Sequence, residues 1–160
     1  MARRNLHLTA DWIGDGHDLD PHRLMIALHE VGHLIVWQAL PGVRITDVAL
    51  TGKGSLWSVK GHVSVDWTGA ADTEEVGHGY LVGLLAGHAA DRIRCEHTGD
   101  QIDTSGCADD FHHYRRARWN HKPSRQWSRA TILADARRAL LANLPRLHRD
   151  ALRLARTGRL

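Results

Sequence analysis

The sequence predicts a mainly helical α+β domain, with one buried helix, then a β-hairpin or small sheet, then a C-terminal helical bundle. Three patterns carry this prediction. Apolar residues recur at helical spacing over residues 24–37, alternate with polar residues over 57–67, and mix with arginine in Ala/Leu-rich segments after residue 123. A chain of 160 residues has the size of one domain, so we expect residues 21–160 to form a single domain.

The first part of the chain predicts an arm followed by a buried helix. Residues 1–20 are rich in Asp and Gly and lack a clear period, which predicts an irregular N-terminal arm. Asp20 and Pro21 have the residue types of a helix N-cap and first turn. The following apolar residues cover most of the helix surface, which is typical of a buried helix, and Pro41-Gly42 ends it.

Two β-strands are predicted next, over residues 43–50 and 57–67. In the second segment, apolar residues or glycine occupy the odd positions and polar residues the even ones. This period of two predicts a strand with one buried face. Residues 52–54 have the glycines of a turn between the strands.

The next predicted helix begins with the capping and acidic residues of segment 72–75 and runs to about Arg94. Glycine costs about 1 kcal/mol relative to alanine in a helix interior, so its repeated use here indicates close packing against another helix. The glycines are Gly77, Gly79, Gly83 and Gly87.

Three further helices are expected after a polar connection over residues 95–106. One begins near Ser105 and ends near Asn120. Pro123-Ser124 starts a long arginine-rich helix, which Pro145 breaks or kinks before a last helix reaches Arg156.

The composition favours a globular protein without a membrane span. Apolar residues make up 42% and charged residues 24% of the chain, and no stretch approaches the ~18 uninterrupted apolar residues that a span needs. The basic N-terminus leads into acidic residues rather than an apolar run, so we expect no secretory signal and a cytoplasmic location. Cys95 and Cys107 are expected to be free thiols, although the sequence leaves their pairing open.

Charge is divided unevenly along the chain. Residues 1–114 hold 8 basic and 16 acidic residues, whereas residues 115–160 hold 13 basic and 2 acidic ones. An acidic partner, a nucleic acid or self-association would explain this division, and so would arginines on solvated helix faces. Nucleic acid is the least favoured partner, because the basic region lacks a base-reading motif.

The segment His29-Glu30-Val31-Gly32-His33 has the spacing of a metal site. Two histidines four residues apart lie one above the other on a helix, so both imidazoles can reach one zinc ion. A glutamate next to the first histidine can reach a water on the metal and act as general base. The motif lies in the most apolar helix of the chain, where a buried glutamate is costly unless a metal compensates it.

A catalytic zinc usually has three protein ligands, and spacing alone does not choose the third one here. Several downstream residues have suitable side chains. They are His62, His78, His88, Asp91, His97, Asp103, Asp109, Asp110, His112 and His113.

Over residues 22–160, the sequence resembles the peptidase domain of the FtsH family of zinc metallopeptidases. Beyond HEVGH, residues 85–93 (LAGHAADRI) are similar to the family's LAGRAAEEI helix. Residues 104–110 (TSGCADD) are similar to its TTGASND segment, and residues 139–151 are loosely similar to its C-terminal helix. The resemblance implies a zincin-like fold.

By position, the resemblance implies specific roles. The resemblance implies that Asp110 is the third zinc ligand, beside the two histidines of the motif. It also implies that Asp91 orients a ligand histidine. The resemblance further implies that the second strand forms a sheet edge, to which an extended peptide can bind as an added strand. The candidate substrate-binding residues are Gly61, His62, Val63 and Ser64.

The sequence also departs from the family. It contains neither the membrane segments nor the AAA ATPase of FtsH proteins, so we expect peptides, flexible segments or unfolded chains as substrates, or a separate ATPase or adaptor as partner. The family's rings make a homo-oligomer possible. His88 replaces a family Arg, Asp109 replaces Asn, and Leu144 replaces Arg.

The function predicted from these patterns is zinc-dependent peptide-bond hydrolysis, with His29, His33 and Asp110 on zinc and Glu30 as general base. Two alternatives remain at this point. One is a hydrolase of the same chemistry that acts on a specialised peptide or other amide. The other is a non-catalytic binding or regulatory module, which the intact Glu30 disfavours because metal binding alone does not need it.

Overall fold

The computed structural model describes residues 7–67, 73–120 and 127–160. In these ranges it is mainly helical with a small antiparallel sheet, as predicted. The elements are α1 (His7–Ile13), α2 (Pro21–Gln38), β1 (Val43–Thr51), β2 (Lys60–Trp67), α3 (Glu74–Thr98), a 3-10 turn (Ser105–Cys107), α4 (Ala108–Asn120), α5 (Arg129–Ala142) and α6 (Leu144–Thr157).

Helix α2 is the centre of the molecule. The Asp20 side chain caps it by accepting hydrogen bonds from the backbone N–H groups of His22 and Arg23, which confirms the predicted start. Every residue from Ala27 to Trp37 is buried. Helices α3 and α6 and both strands pack around α2, so polar groups on α2 are held in a dry environment.

The sheet consists of β1 and β2 in antiparallel register, with Val48 opposite Val63. The outer edge of β1 is occupied by the C-terminal tail, because Leu50 N–H donates to Gly158 O at 2.9 Å and Leu160 N–H donates to Val48 O at 3.2 Å. Among the described residues, β2 pairs only with β1. Its other edge therefore has no strand partner in the part of the chain that the structure describes.

Helices α2 and α3 cross closely, as the glycines predicted. A Cβ added at Gly79 would overlap Leu40, and one at Gly83 would overlap Trp37. On the other helix, a Cβ at Gly32 would lie 2.8 Å from Ala86 O. Gly77 is the exception, since a Cβ there would meet nothing within 4 Å.

The N-terminal arm differs from the prediction of an irregular segment, because residues 7–13 form helix α1. The side chains of Thr9 and Ala10 are buried, and Trp12 packs against the rings of His97 and His148. Contacts with α2 and α3 stabilise this short helix. Seven residues are too few to show a helical period, and isolated helices of this length are unstable.

Some element boundaries also shift. β2 begins at Lys60, and Trp57 lies in a turn with 88% of its surface exposed rather than on the buried face of a strand. α3 continues to Thr98, where Gly99 ends it in the left-handed conformation (φ 72°).

The later helices follow the prediction more closely. The predicted start at Pro123-Ser124 lies outside the described residues, and α5 begins at Arg129 with Ser128 as its N-cap. The predicted break at Pro145 is confirmed, since α5 ends at Ala142 and α6 begins at Leu144.

Cys95 and Cys107 are both buried, and they do not form a disulfide with each other. Among the described helices, none combines the length and the apolar character needed to cross a membrane.

Candidate metal centre

Three acceptor atoms converge at the crossing of α2, α3 and α4. His29 Nε2 and His33 Nε2 lie 3.1 Å apart. Asp110 Oδ2, from the first turn of α4, lies 3.0 Å from the first and 3.4 Å from the second. The structure therefore brings together the two histidines of the motif and the aspartate that lies 77 residues further along the chain.

Both imidazoles are oriented through their other ring nitrogen. His29 Nδ1 donates to Asp91 Oδ2 at 2.8 Å, and His33 Nδ1 donates to the backbone carbonyl of Gly83 at 2.7 Å. Because a carboxylate and a carbonyl only accept hydrogen bonds, the Nδ1 atoms carry the protons in the neutral rings. The Nε2 lone pairs of both rings then point toward each other and toward Asp110.

This donor set fits a metal cation. Two lone pairs and a carboxylate oxygen repel one another unless a positive charge or a proton lies between them. Zinc binds imidazole nitrogen and carboxylate oxygen at about 2.0–2.2 Å, which separates tetrahedral ligand atoms by about 3.3 Å. The three observed separations of 3.0–3.4 Å lie close to this value.

Gly87 supplies the space that such an ion needs. A Cβ added at this position would overlap the Nε2 atoms of both His29 and His33. Any side chain at residue 87 would thus collide with the two ligand nitrogens. This glycine is required for the site and not only for helix packing.

The charges of the site act on its own titratable groups. Burial alone would lower the pKa of His29, but the carboxylates of Asp91 and Asp110 outweigh it and raise the pKa well above its usual range. Burial alone would raise the pKa of Asp110, but hydrogen bonds with His29 and His33 hold the pKa well below its usual range. The site therefore stabilises positive charge between these groups, and a metal would compete with a proton there.

Glu30 lies between the converging group and the sheet. Its side chain is 8% exposed and packs on the backbone of Gly61 in β2, where an added Cβ would lie 2.5 Å from Glu30 Cγ and 2.8 Å from Oε1. Burial raises the pKa of Glu30, while His33 and His29 oppose the shift. A carboxylate with a raised pKa is suited to accept a proton.

The four predicted substrate-binding residues lie along β2. Gly61 contacts Glu30, as described above. His62 Nε2 lies within hydrogen-bond distance of Asp47 Oδ2 in β1, at 2.9 Å, and Val63 and Ser64 pair with β1 in the sheet register. Gly61 is thus placed directly against the candidate catalytic residue, and His62 is near enough to act on its charge.

Several of the other candidate ligands from the sequence lie elsewhere. His112 and His113 are exposed and pack against each other, with ring centroids 5.8 Å apart. His78 pairs with Asp135, and Asp109 is exposed. Among the described residues, the converging group that includes both motif histidines is completed by Asp110.

A second group shares His29 and combines it with Asp91 and Cys107. The Cys107 sulfur lies 3.6 Å from Asp91 Oδ2 and 3.6 Å from His88 Nδ1. Burial raises the pKa of the Cys107 thiol, which disfavours the thiolate that a metal requires. This group is better suited to hold Asp91 in place than to bind an ion.

Gly83, Gly87 and Cys107 are site residues that sequence reasoning did not assign. The excess of glycine in α3 indicated close packing, but it did not show that one glycine accepts the His33 hydrogen bond and another faces both Nε2 atoms. Only the position of α3 against α2 reveals these roles.

Asp91→Asn should weaken zinc binding about 10- to 100-fold while the fold is retained, because the amide accepts the His29 hydrogen bond without the negative charge that strengthens the ligand. Competition with a chromophoric chelator measures the affinity. Asp66→Asn, on the exposed Arg44–Asp66 pair of the hairpin, is the matched control and should bind zinc like the unmodified protein. Equal affinities of the two variants would contradict a role for Asp91.

No protein-family model matches this sequence, and no curated protein matches it with significance. A functional assignment must therefore be argued from the geometry and chemistry of the site.

Proposed function

We propose that this protein is a zinc-dependent hydrolase of peptide bonds. The observation that carries the proposal is the convergence of His29 Nε2, His33 Nε2 and Asp110 Oδ2 beside Gly87, with Glu30 next to the same group. This combination supplies three metal ligands, space for the ion and a carboxylate that does not belong to the ligand set.

Each residue of the site has its own role in the proposed reaction. His29, His33 and Asp110 would hold zinc, and Asp91 and the Gly83 carbonyl keep the Nδ1 protons in place so that both Nε2 atoms remain ligands. When bound, zinc would polarise the scissile carbonyl and lower the pKa of water. Glu30 accepts the proton of the attacking water at its carboxylate and returns it to the leaving amine.

The sheet favours a peptide as the substrate. The β1 edge is occupied by the chain's own C-terminal tail, whereas the β2 edge is unpaired among the described residues. Because Gly61 of β2 contacts Glu30, an extended peptide that pairs with this edge would run past the candidate base. Membership of the FtsH-type peptidases, a cytoplasmic location and the use of a partner ATPase or adaptor belong to the same proposal.

The proposal is tested by digestion of a library of unstructured peptides with purified, zinc-loaded protein. We expect cleavage products, about one zinc per chain, and loss of cleavage when a chelator removes the metal. Absence of cleavage by a protein that holds stoichiometric zinc would contradict peptide hydrolysis and favour another amide substrate or a binding role.

Asp110→Ala should weaken zinc binding by at least about tenfold, because it removes one of three ligands and leaves the two Nε2 atoms without the carboxylate. Zinc affinity by competition is the measurement. His112→Ala and His113→Ala are matched controls from the same helix and should not change the affinity. If either control loses zinc while Asp110→Ala keeps it, the third ligand is that histidine.

A further inference from the structure

A cavity of about 430 Å³ lies between α3 and α5 and is open to solvent, because several of its lining residues are exposed. Four apolar side chains line it, among them Ala89 of α3 and Leu133 of α5. Three arginines complete the lining: Arg92, Arg129 and Arg137. Its volume falls within the range of about 300–1,000 Å³ that is usual for small-molecule sites.

The positive charge around this cavity is only partly neutralised. Arg137 pairs with Glu96 at 2.7 Å. Arg129 places its guanidinium 4.2 Å above the Phe111 ring, a contact that leaves its charge uncompensated. Within the described part of the chain, neither Arg92 nor Arg129 has a carboxylate partner, and no acidic side chain lines the cavity.

The positive charges of Arg92 and Arg129 both act on the side chain of His88. Burial lowers the pKa of His88, and the charges of Arg129 and Arg92 lower it further, against the opposing effect of Asp91. Arg129 is also the first residue of α5, so the positive end of the helix dipole adds to the same potential. The cavity is therefore an electropositive pocket with an apolar lining.

We propose that this cavity binds a small molecule in which an oxyanion, a phosphate or a carboxylate, is joined to a compact apolar body. Guanidinium groups donate paired hydrogen bonds that match phosphate and carboxylate oxygens. The alanines and the leucine offer apolar surface to the rest of the molecule. No residue of the proposed zinc-binding group lines this cavity, so the inference does not rest on zinc or on the proposed hydrolysis.

Isothermal titration of the full-length protein tests the proposal with three probes: phenyl phosphate, benzoate and inorganic phosphate. We expect saturable binding of phenyl phosphate or benzoate, and the tighter of the two identifies the oxyanion. Inorganic phosphate should bind at least about tenfold more weakly than phenyl phosphate, because it has no apolar part. Affinity should fall as the salt concentration rises.

The double variant Arg92→Gln/Arg129→Gln should weaken binding of the better probe by at least about tenfold. Arg138→Gln is the matched control, since Arg138 lies on the same helix, is paired with Asp135 and is not part of the lining. Its affinity should stay within about twofold of the unmodified protein. Circular dichroism checks that both variants are folded.

Three results would overturn the proposal. These are no saturable binding of either aromatic probe, inorganic phosphate binding as tightly as phenyl phosphate, and equal affinities of the double variant and the unmodified protein.

Discussion

Substitution of Gly87 by alanine is expected to remove zinc from the protein. The new methyl group would overlap the Nε2 atoms of His29 and His33, so both rings would have to turn away. Turning would break the hydrogen bonds from their Nδ1 atoms to Asp91 and to the Gly83 carbonyl, which hold the rings in place. We expect the zinc content to fall from about one per chain to nearly none, and hydrolysis to be lost with it.

Gly77→Ala is the matched control for this experiment. It lies in the same helix and gains the same methyl group, but nothing lies within 4 Å of the added Cβ. Since alanine is about 1 kcal/mol more favourable than glycine in a helix, this variant should be slightly more stable and should bind zinc normally. Zinc content by mass spectrometry and thermal unfolding distinguish the two variants. Normal zinc content in folded Gly87→Ala would contradict the location of the site.

Substitution of Glu30 by glutamine is expected to abolish turnover while zinc remains bound. Glutamine has nearly the same shape, so it can keep the contact with Gly61, but it cannot accept the proton of water. General-base catalysis contributes about 10²- to 10⁴-fold, and we expect kcat to fall by that factor. Zinc content should stay at about one per chain, because Glu30 is outside the ligand set.

Asp109→Asn is the control for the charge change. Asp109 is exposed, stands next to Asp110 in the chain and does not belong to the converging group. Loss of the Asp109 negative charge should change kcat by less than about threefold. If Glu30→Gln and Asp109→Asn were equally active, Glu30 would not be the general base, even if the metal centre itself were correct.

The elements that the sequence predicts well are those with strong local signals. Asp20 and Thr73 cap their helices through short-range hydrogen bonds, and the alternation in β2 follows directly from the two-residue period of a strand. α1 lacked such a signal, because packing on α2 and α3 stabilises it. The two-residue period also predicts that Trp57 belongs to the strand, but Trp57 lies in a turn that precedes β2.

The residues of the candidate site also differ in whether a local sequence pattern predicts them. The i, i+4 spacing of His29 and His33 is a property of one helix, so the sequence alone predicts that they share a face. Asp110 and Asp91 come from other helices, and only the resemblance to a family pointed to them. The role of Gly87 depends on how closely α3 approaches α2 at their crossing, which no local pattern encodes.

The central claim is that one zinc ion lies between His29, His33 and Asp110. Anomalous diffraction from crystals of the zinc-loaded protein, recorded on both sides of the zinc absorption edge, tests it most directly. We expect a single strong peak at about 2.0–2.2 Å from Nε2 of both histidines and from the Asp110 carboxylate, beside the Cα of Gly87. A peak on other residues, or no peak in this cluster, would contradict the claim.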